Sequence, residues 1–187
     1  MFAQGKENVY LYLHTDASGS LGGIRLKDLI MSVGIPEDKV VFVDPYLLRT
    51  GLGIETMAGI YTAMDVLLAT SYGEGFGVPT IEAQACGTPV IVSDFAASSE
   101  LVGDGWKIGG QPLWDAPQKA FFHVPNIGEI VDALQESYER ERVRSEKAIE
   151  FAKQYEANFV YETYWKPTLR AIFDKKPPVA SPTTKKD

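Results

Sequence analysis

Apolar residues fall along this chain in two spacings. Unbroken apolar runs occur at Val9-Tyr10-Leu11-Tyr12-Leu13, Val40-Val41-Phe42-Val43, Asp65-Val66-Leu67-Leu68-Ala69 (after its leading Asp) and Thr88-Pro89-Val90-Ile91-Val92. Such runs mark strands buried on both faces. Between them, apolar positions recur at helical spacing. Leu26, Leu29, Ile30 and Val33 lie in a helix predicted over 22–33 and closed by Gly34; Met57, Ile60, Tyr61 and Met64 mark another. Ile127, Ile130, Val131 and Leu134 mark a third, with Asn126 as its cap. A short helix is expected at 98–102, and Gly105-Trp106-Lys107-Ile108 returns to the sheet. Strands alternating with helices predict an α/β domain, a parallel sheet with helices on both faces.

The remaining segments are less regular. Tyr46 to Gly53 reads as a loop, and 109–122, rich in Gly, Pro and aromatics, as a surface excursion before an edge strand at His123-Val124. Trp114, Phe121 and Phe122 read as a small satellite cluster rather than a sugar-stacking platform. The alternating charges of 136–144 read as a solvated helix face. A helix is expected over 148–155, then a last one from Asn158 as cap through Ile172, kinked near Pro167. Its aromatics, Phe159, Tyr161, Tyr164, Trp165 and Phe173, exceed what a terminal helix needs and suggest a docking face. Met1 to Gly5 looks like the end of a helix whose start is absent. The domain is expected over 1–173, with a disordered tail over 174–187.

Composition narrows the function. A chain of 187 residues suits one globular domain with a proper core. A net charge of −7 argues against a nucleic-acid or anionic-membrane footprint. One cysteine excludes an internal disulfide, and two histidines make a metal cluster an unfavoured reading. Cys86, between Ala85 and Gly87, reads as a small buried hydrophobe. No apolar run approaches a membrane span and no signal peptide is visible, so a cytoplasmic protein is expected.

Local signals converge on Tyr72 to Asp94. Gly73, Gly75 and Gly77 alternate through a loop after the third apolar run; Pro79 suits the first turn of a short helix over 80–86, and Gly87 ends it. Strand, glycine loop, helix and strand make an anion site, because first-turn amides lack internal partners and the helix dipole favours negative charge. Glu74 and Glu82 flank the loop. A carboxylate repels phosphate but accepts hydrogen bonds from sugar hydroxyls. Together these suggest a sugar attached to a phosphate. The alternative is that Glu82 only complements the dipole and Glu74 is solvated. His14, Asp16, Asp44, Ser71 and Asp94 follow strands and would share one rim at their carboxyl ends, where such sheets bind ligands; for any one of them taken alone, a simple strand terminator is the favoured reading.

The residues E-G-F-G-V-P-T-I-E-A-Q-A-C-G-T-P-V-I, from Glu74 to Ile91, resemble the E-x7-E signature of retaining glycosyltransferases of the GT-B fold. Milder resemblance runs from about Val9 to Ala133. It implies a Rossmann-like parallel sheet, the C-terminal donor-binding half of such an enzyme, truncated at its N-terminus. By position it implies that Glu74 bonds hydroxyls of the transferred sugar and Glu82 the ribose of a UDP- or GDP-sugar. It places Gly75 and the backbone at Phe76, Gly77 and Val78 on the sugar and distal phosphate, amides near Thr80 on the phosphates, and the base near 43–46. It implies no metal and no cofactor besides the nucleotide-sugar substrate, and a mechanism in which the donor phosphate helps to deprotonate the acceptor. The family's cationic loop after the first strand would precede Met1, and the acceptor domain would belong to a missing half or a companion chain. A non-catalytic nucleotide-sugar-binding or assembly module is the alternative. A dehydrogenase is disfavoured, since no G-x-G-x-x-G follows a predicted strand.

Overall fold

The computed structural model describes residues 6–20 and 23–174, so the expected helix end at Met1–Gly5 and all but the first residue of the expected tail lie outside the described residues. In chain order the elements are β1 (Leu11–Leu13), α1 (Leu26–Ser32), β2 (Val40–Phe42), α2 (Pro45–Thr50), α3 (Ile54–Ala63), β3 (Leu67–Ala69), α4 (Val78–Ala85) and β4 (Val90–Ser93). There follow β5 (Gly105–Ile108), β6 (Gly110–Asp115), β7 (Ala120–Pro125), α5 (Ile127–Glu139), α6 (Glu146–Ala152), α7 (Ala157–Val160) and α8 (Lys166–Phe173).

The α/β class is as expected, but the parallel ladders form two sheets rather than one. β1 pairs with β2, and β3-β4-β5 form a second parallel sheet. β4 is central and wholly buried, and its alternation divides the core. Val90 and Val92 face Tyr61 and Ala83 of α3 and α4, joined by Met57, Leu67, Ala69 and Cys86. Ile91 points the other way, to Ile108 and to Ala133 of α5. Helices therefore cover both faces, and Cys86 packs as a small apolar residue. Gly105 has φ +144°, and a Cβ there would lie 1.9 Å from the Val90 carbonyl oxygen, so only glycine lets β5 join β4.

Four readings are corrected. Residues 45–50 are helical, not loop, because the Asp44 carboxylate accepts from the amides of Tyr46 and Leu47 with Pro45 in the first turn. The excursion over 109–122 is an antiparallel hairpin, β6 with β7. Pro112 is tolerated because a two-stranded ladder is all edge. Trp114 contacts Phe121 edge-on at 5.0 Å, whereas Phe122 lies opposite Leu113 on the other face. The charged run leaves the helix after Glu139: Arg140 turns back onto Asp104, and Arg142 binds Asp65 at 2.9 Å and the Ala63 carbonyl at 2.8 Å. At the last helix Glu156, not Asn158, is the cap, accepting from the amides of Asn158 and Phe159. A π-helical turn over Tyr161–Trp165 precedes Pro167, whose missing N–H and ring disfavour regular α spacing. The Asn126 cap is as expected.

Candidate functional site

The site is built where β3 hands over to α4. After Ala69 the chain leaves the sheet, and Gly77 takes a left-handed conformation, φ 96° and ψ 56°, immediately before α4. A residue with a Cβ pays for that conformation, and glycine does not. Pro79 follows in the first turn, where its missing N–H costs nothing. Among the described residues, no protein acceptor takes the amide N–H of Gly75, Phe76, Gly77 or Val78. Consecutive open amides at a helix N-terminus favour an anion. Thr80 differs from the reading by position: its amide donates to the Gly77 carbonyl at 3.0 Å and the residue is buried. The open amides therefore end at Val78.

Phe76 is half-exposed, yet its ring meets Tyr155 edge-on at 5.7 Å. That contact holds the loop from the side. On the other flank, the Phe95 and Phe122 rings would both lie 3.7 Å from a Cβ on Gly73, and the His123 amide donates to the Tyr72 carbonyl at 2.8 Å. The hairpin is thus a buttress for the glycine loop. Its His123 ring stacks on Phe95 at 5.4 Å.

Glu74 and, on α4, Glu82 are both held by hydroxyls. Ser71 Oγ donates to Glu74 Oε1 at 2.7 Å, and the Ser71 carbonyl accepts from Ser93 Oγ at 2.6 Å. Tyr61 Oη donates to Glu82 Oε2 at 2.9 Å. Burial first, then the hydrogen bond to Glu82 and its charge, push the Tyr61 hydroxyl well above the ordinary phenol range. Ser71 was visible in sequence as a strand end; Tyr61 was legible only as a core position of α3, and nothing local marked its hydroxyl as a partner for Glu82.

Behind the site, Gln84 is fully buried and uses its whole amide. Nε2 donates to the carbonyls of Thr80 and Leu101, and Oε1 accepts from the amides of Gly103 and Asp104. It fixes α4 to the approach to β5.

The other rim residues divide between the sheets. Ser71 and Asp94 follow β3 and β4, while His14, Asp16 and Asp44 follow β1 and β2. His14 Nδ1 lies 2.9 Å from the Tyr12 hydroxyl, Asp16 accepts from Ser18 and Ser20, and Asp44 caps α2. A cavity of about 510 Å³ at the end of β1 is lined by His14, Thr15, Asp16, Ile24, Leu26 and Leu48. Among the described residues, no three His, Cys, Asp or Glu side chains gather as a metal site. No helix among them is long and apolar enough to cross a membrane.

Residues 21–140, which contain this loop and both carboxylates, match the family described as glycosyl transferases group 1. This chain belongs to the group 1 glycosyltransferases. Among curated relatives of this group 1 chain, the D-inositol 3-phosphate glycosyltransferase of Mycobacteroides abscessus is 31% identical over 156 residues, which is 82% of this chain and 31% of that protein. The protein of that name from Mycolicibacterium smegmatis is 30% identical over 146 residues, 75% of this chain and 29% of its own length. The chain thus spans about a third of the length of these relatives. Among solved structures, sucrose-phosphate synthase from Thermosynechococcus elongatus superposes with a TM-score of 0.61 at 24% identity, covering 89% of this chain and 39% of that one. A glycosyltransferase from Rickettsia africae gives 0.54 at 16% identity, covering 93% of this chain and 41% of that one. These likenesses place the α/β fold of the group 1 chain among GT-B glycosyltransferases.

Proposed function

We propose that this chain is the donor-binding half of a retaining hexosyltransferase that takes a sugar from a UDP- or GDP-sugar. The observation that carries the reading is a run of open amides at the α4 N-terminus, flanked by Glu74 and Glu82, each with one oxygen held by a hydroxyl. In a group 1 glycosyltransferase that combination suits a diphosphate bonded to a sugar on one side and to a ribose on the other. Glu74 takes hydroxyls of the transferred sugar, and Glu82 takes those of the ribose. The amides of Gly75, Phe76, Gly77 and Val78 carry the distal phosphate and sugar. Thr80 contributes by closing the first turn onto Gly77 rather than by an open amide.

The reading needs no metal, because amides at a helix N-terminus supply positive potential where the diphosphate sits. It also needs an acceptor-binding half, supplied by further chain or by a companion. The test is titration calorimetry with UDP and GDP. Glu82→Ala should lower affinity for the nucleotide that binds by about tenfold or more, since a hydrogen bond to a charged group contributes roughly 1.5–3 kcal/mol. Unchanged affinity would remove Glu82 from the site.

A further inference from the structure

We propose that Tyr61 is the positioning residue that makes this site prefer ribonucleotides, by holding one oxygen of Glu82 and presenting the other to the ribose. The inference rests on the donor-site reading above. Glu82 itself lies at the surface, and a surface glutamate turns freely about its side-chain torsions. Tyr61 does not turn. It is 6% exposed, and its ring packs with Ala83, Val90 and Val92 in the core cluster. Its backbone is pinned as well, for its carbonyl accepts from Thr88 Oγ1 at 2.7 Å. The buried hydroxyl reaches out of the core to Glu82 Oε2 at 2.9 Å.

A phenol donating to a carboxylate is a charge-assisted bond with directional preference, so it selects one rotamer of Glu82. It occupies one lone-pair site and leaves the others to accept. Among the described residues, Oε1 receives no protein donor. The carboxylate is therefore anchored to the sheet through Tyr61 yet open toward solvent, as a receptor for vicinal hydroxyls should be. A ligand lacking the 2′-hydroxyl would draw little benefit from it.

The experiment compares the full chain with Tyr61→Phe for binding of UDP and GDP and of their 2′-deoxy analogues. The wild type should prefer the ribonucleotide. Tyr61→Phe should weaken the ribonucleotide by about threefold to tenfold and leave the deoxy analogue nearly unchanged, the scale of one hydrogen bond lost. In a Glu82→Ala background the same substitution should do nothing further. Parallel loss for both nucleotides, or an equal loss without Glu82, would make Tyr61 merely structural and overturn the proposal. Unchanged binding by Tyr61→Phe overturns the proposal alone, whereas a wild type that binds no nucleotide overturns the donor-site reading with it. Should Tyr61→Phe fail to fold, the hydroxyl proton of Tyr61 in the wild type is followed by NMR. Nucleotide should shift it, and an unmoved resonance overturns the proposal.

Discussion

Asp104 shows at the scale of one residue how this chain handles charge near its core. Its carboxylate is forked by Arg140, at 2.6 Å from Nη2 and 3.2 Å from Nη1, and accepts a further bond from the Ser145 hydroxyl. Burial pushes its pKa up, but the bonds from Arg140 and Ser145 and the Arg140 charge outweigh burial, and the group sits below the ordinary carboxylate value. A carboxyl held lower in the folded state binds fewer protons there than when unfolded, so stability should rise with pH across the interval between the two values. The contribution is fully present above the unfolded aspartate value of about 3.9 and is lost as pH falls below it through the folded value. Urea midpoints measured from pH 6 downward should show this limb, and Asp104→Asn should flatten it. The substitution should also cost about 1–3 kcal/mol at neutral pH by replacing one acceptor oxygen with an NH2 and removing the charge that faces Arg140. The lower end is expected because Arg140 is partly solvated. An unaltered acid limb in Asp104→Asn would assign it to other carboxyls.

The helix α4 is the element on which site and core meet. One end carries the open amides, while Ala83 and Gln84, both at 0% exposure, lock its inner face. Gln84→Leu keeps the volume nearly constant but strips partners from the Leu101 carbonyl and the Gly103 and Asp104 amides. Buried polar groups left unmet cost about 1–3 kcal/mol each, so a loss of at least about 3 kcal/mol is expected in chemical denaturation. An unchanged midpoint would mean that water replaces the amide. This element was legible in sequence because its signals are local: the glycine loop, Pro79 and Gly87 lie within one short stretch. The core strand 90–92 was equally plain. What escaped depends on pairing between distant residues. Tyr61 and Glu82 are 21 apart, Arg140 and Asp104 are 36 apart, and the β6–β7 ladder hid behind Pro112 and Pro117. The helix α2 is a different failure, since Asp44-Pro45 is a start signal available in sequence and Gly51 and Gly53 masked it.

At the scale of the whole molecule, a chain that is a donor-binding half, as proposed, should bind a nucleotide sugar and depend on further chain or a companion for its acceptor. The open amides, Glu74 and Glu82 belong to one continuous strand–loop–helix unit, so binding should persist in the isolated chain. It should be weak, because the chain carries a net charge of −7, which works against a diphosphate approaching through water. Exposed aromatics on the last helices, among them Tyr164 at 57%, Trp165 at 59% and Phe173 at 80%, leave apolar surface on the molecule outside its core. Transfer should fail in isolation, because proximity and orientation supply much of the rate in such a reaction and require the acceptor to be fixed against the anomeric carbon. The assay is a donor panel with purified chain, scored for released nucleotide and for glycosylated product, with and without chelator. Weak nucleotide binding and at most trace hydrolysis are the expected result. Robust acceptor-dependent turnover by this chain alone would overturn its assignment as a donor half, and turnover abolished by chelator would overturn the metal-free reading of the α4 N-terminus.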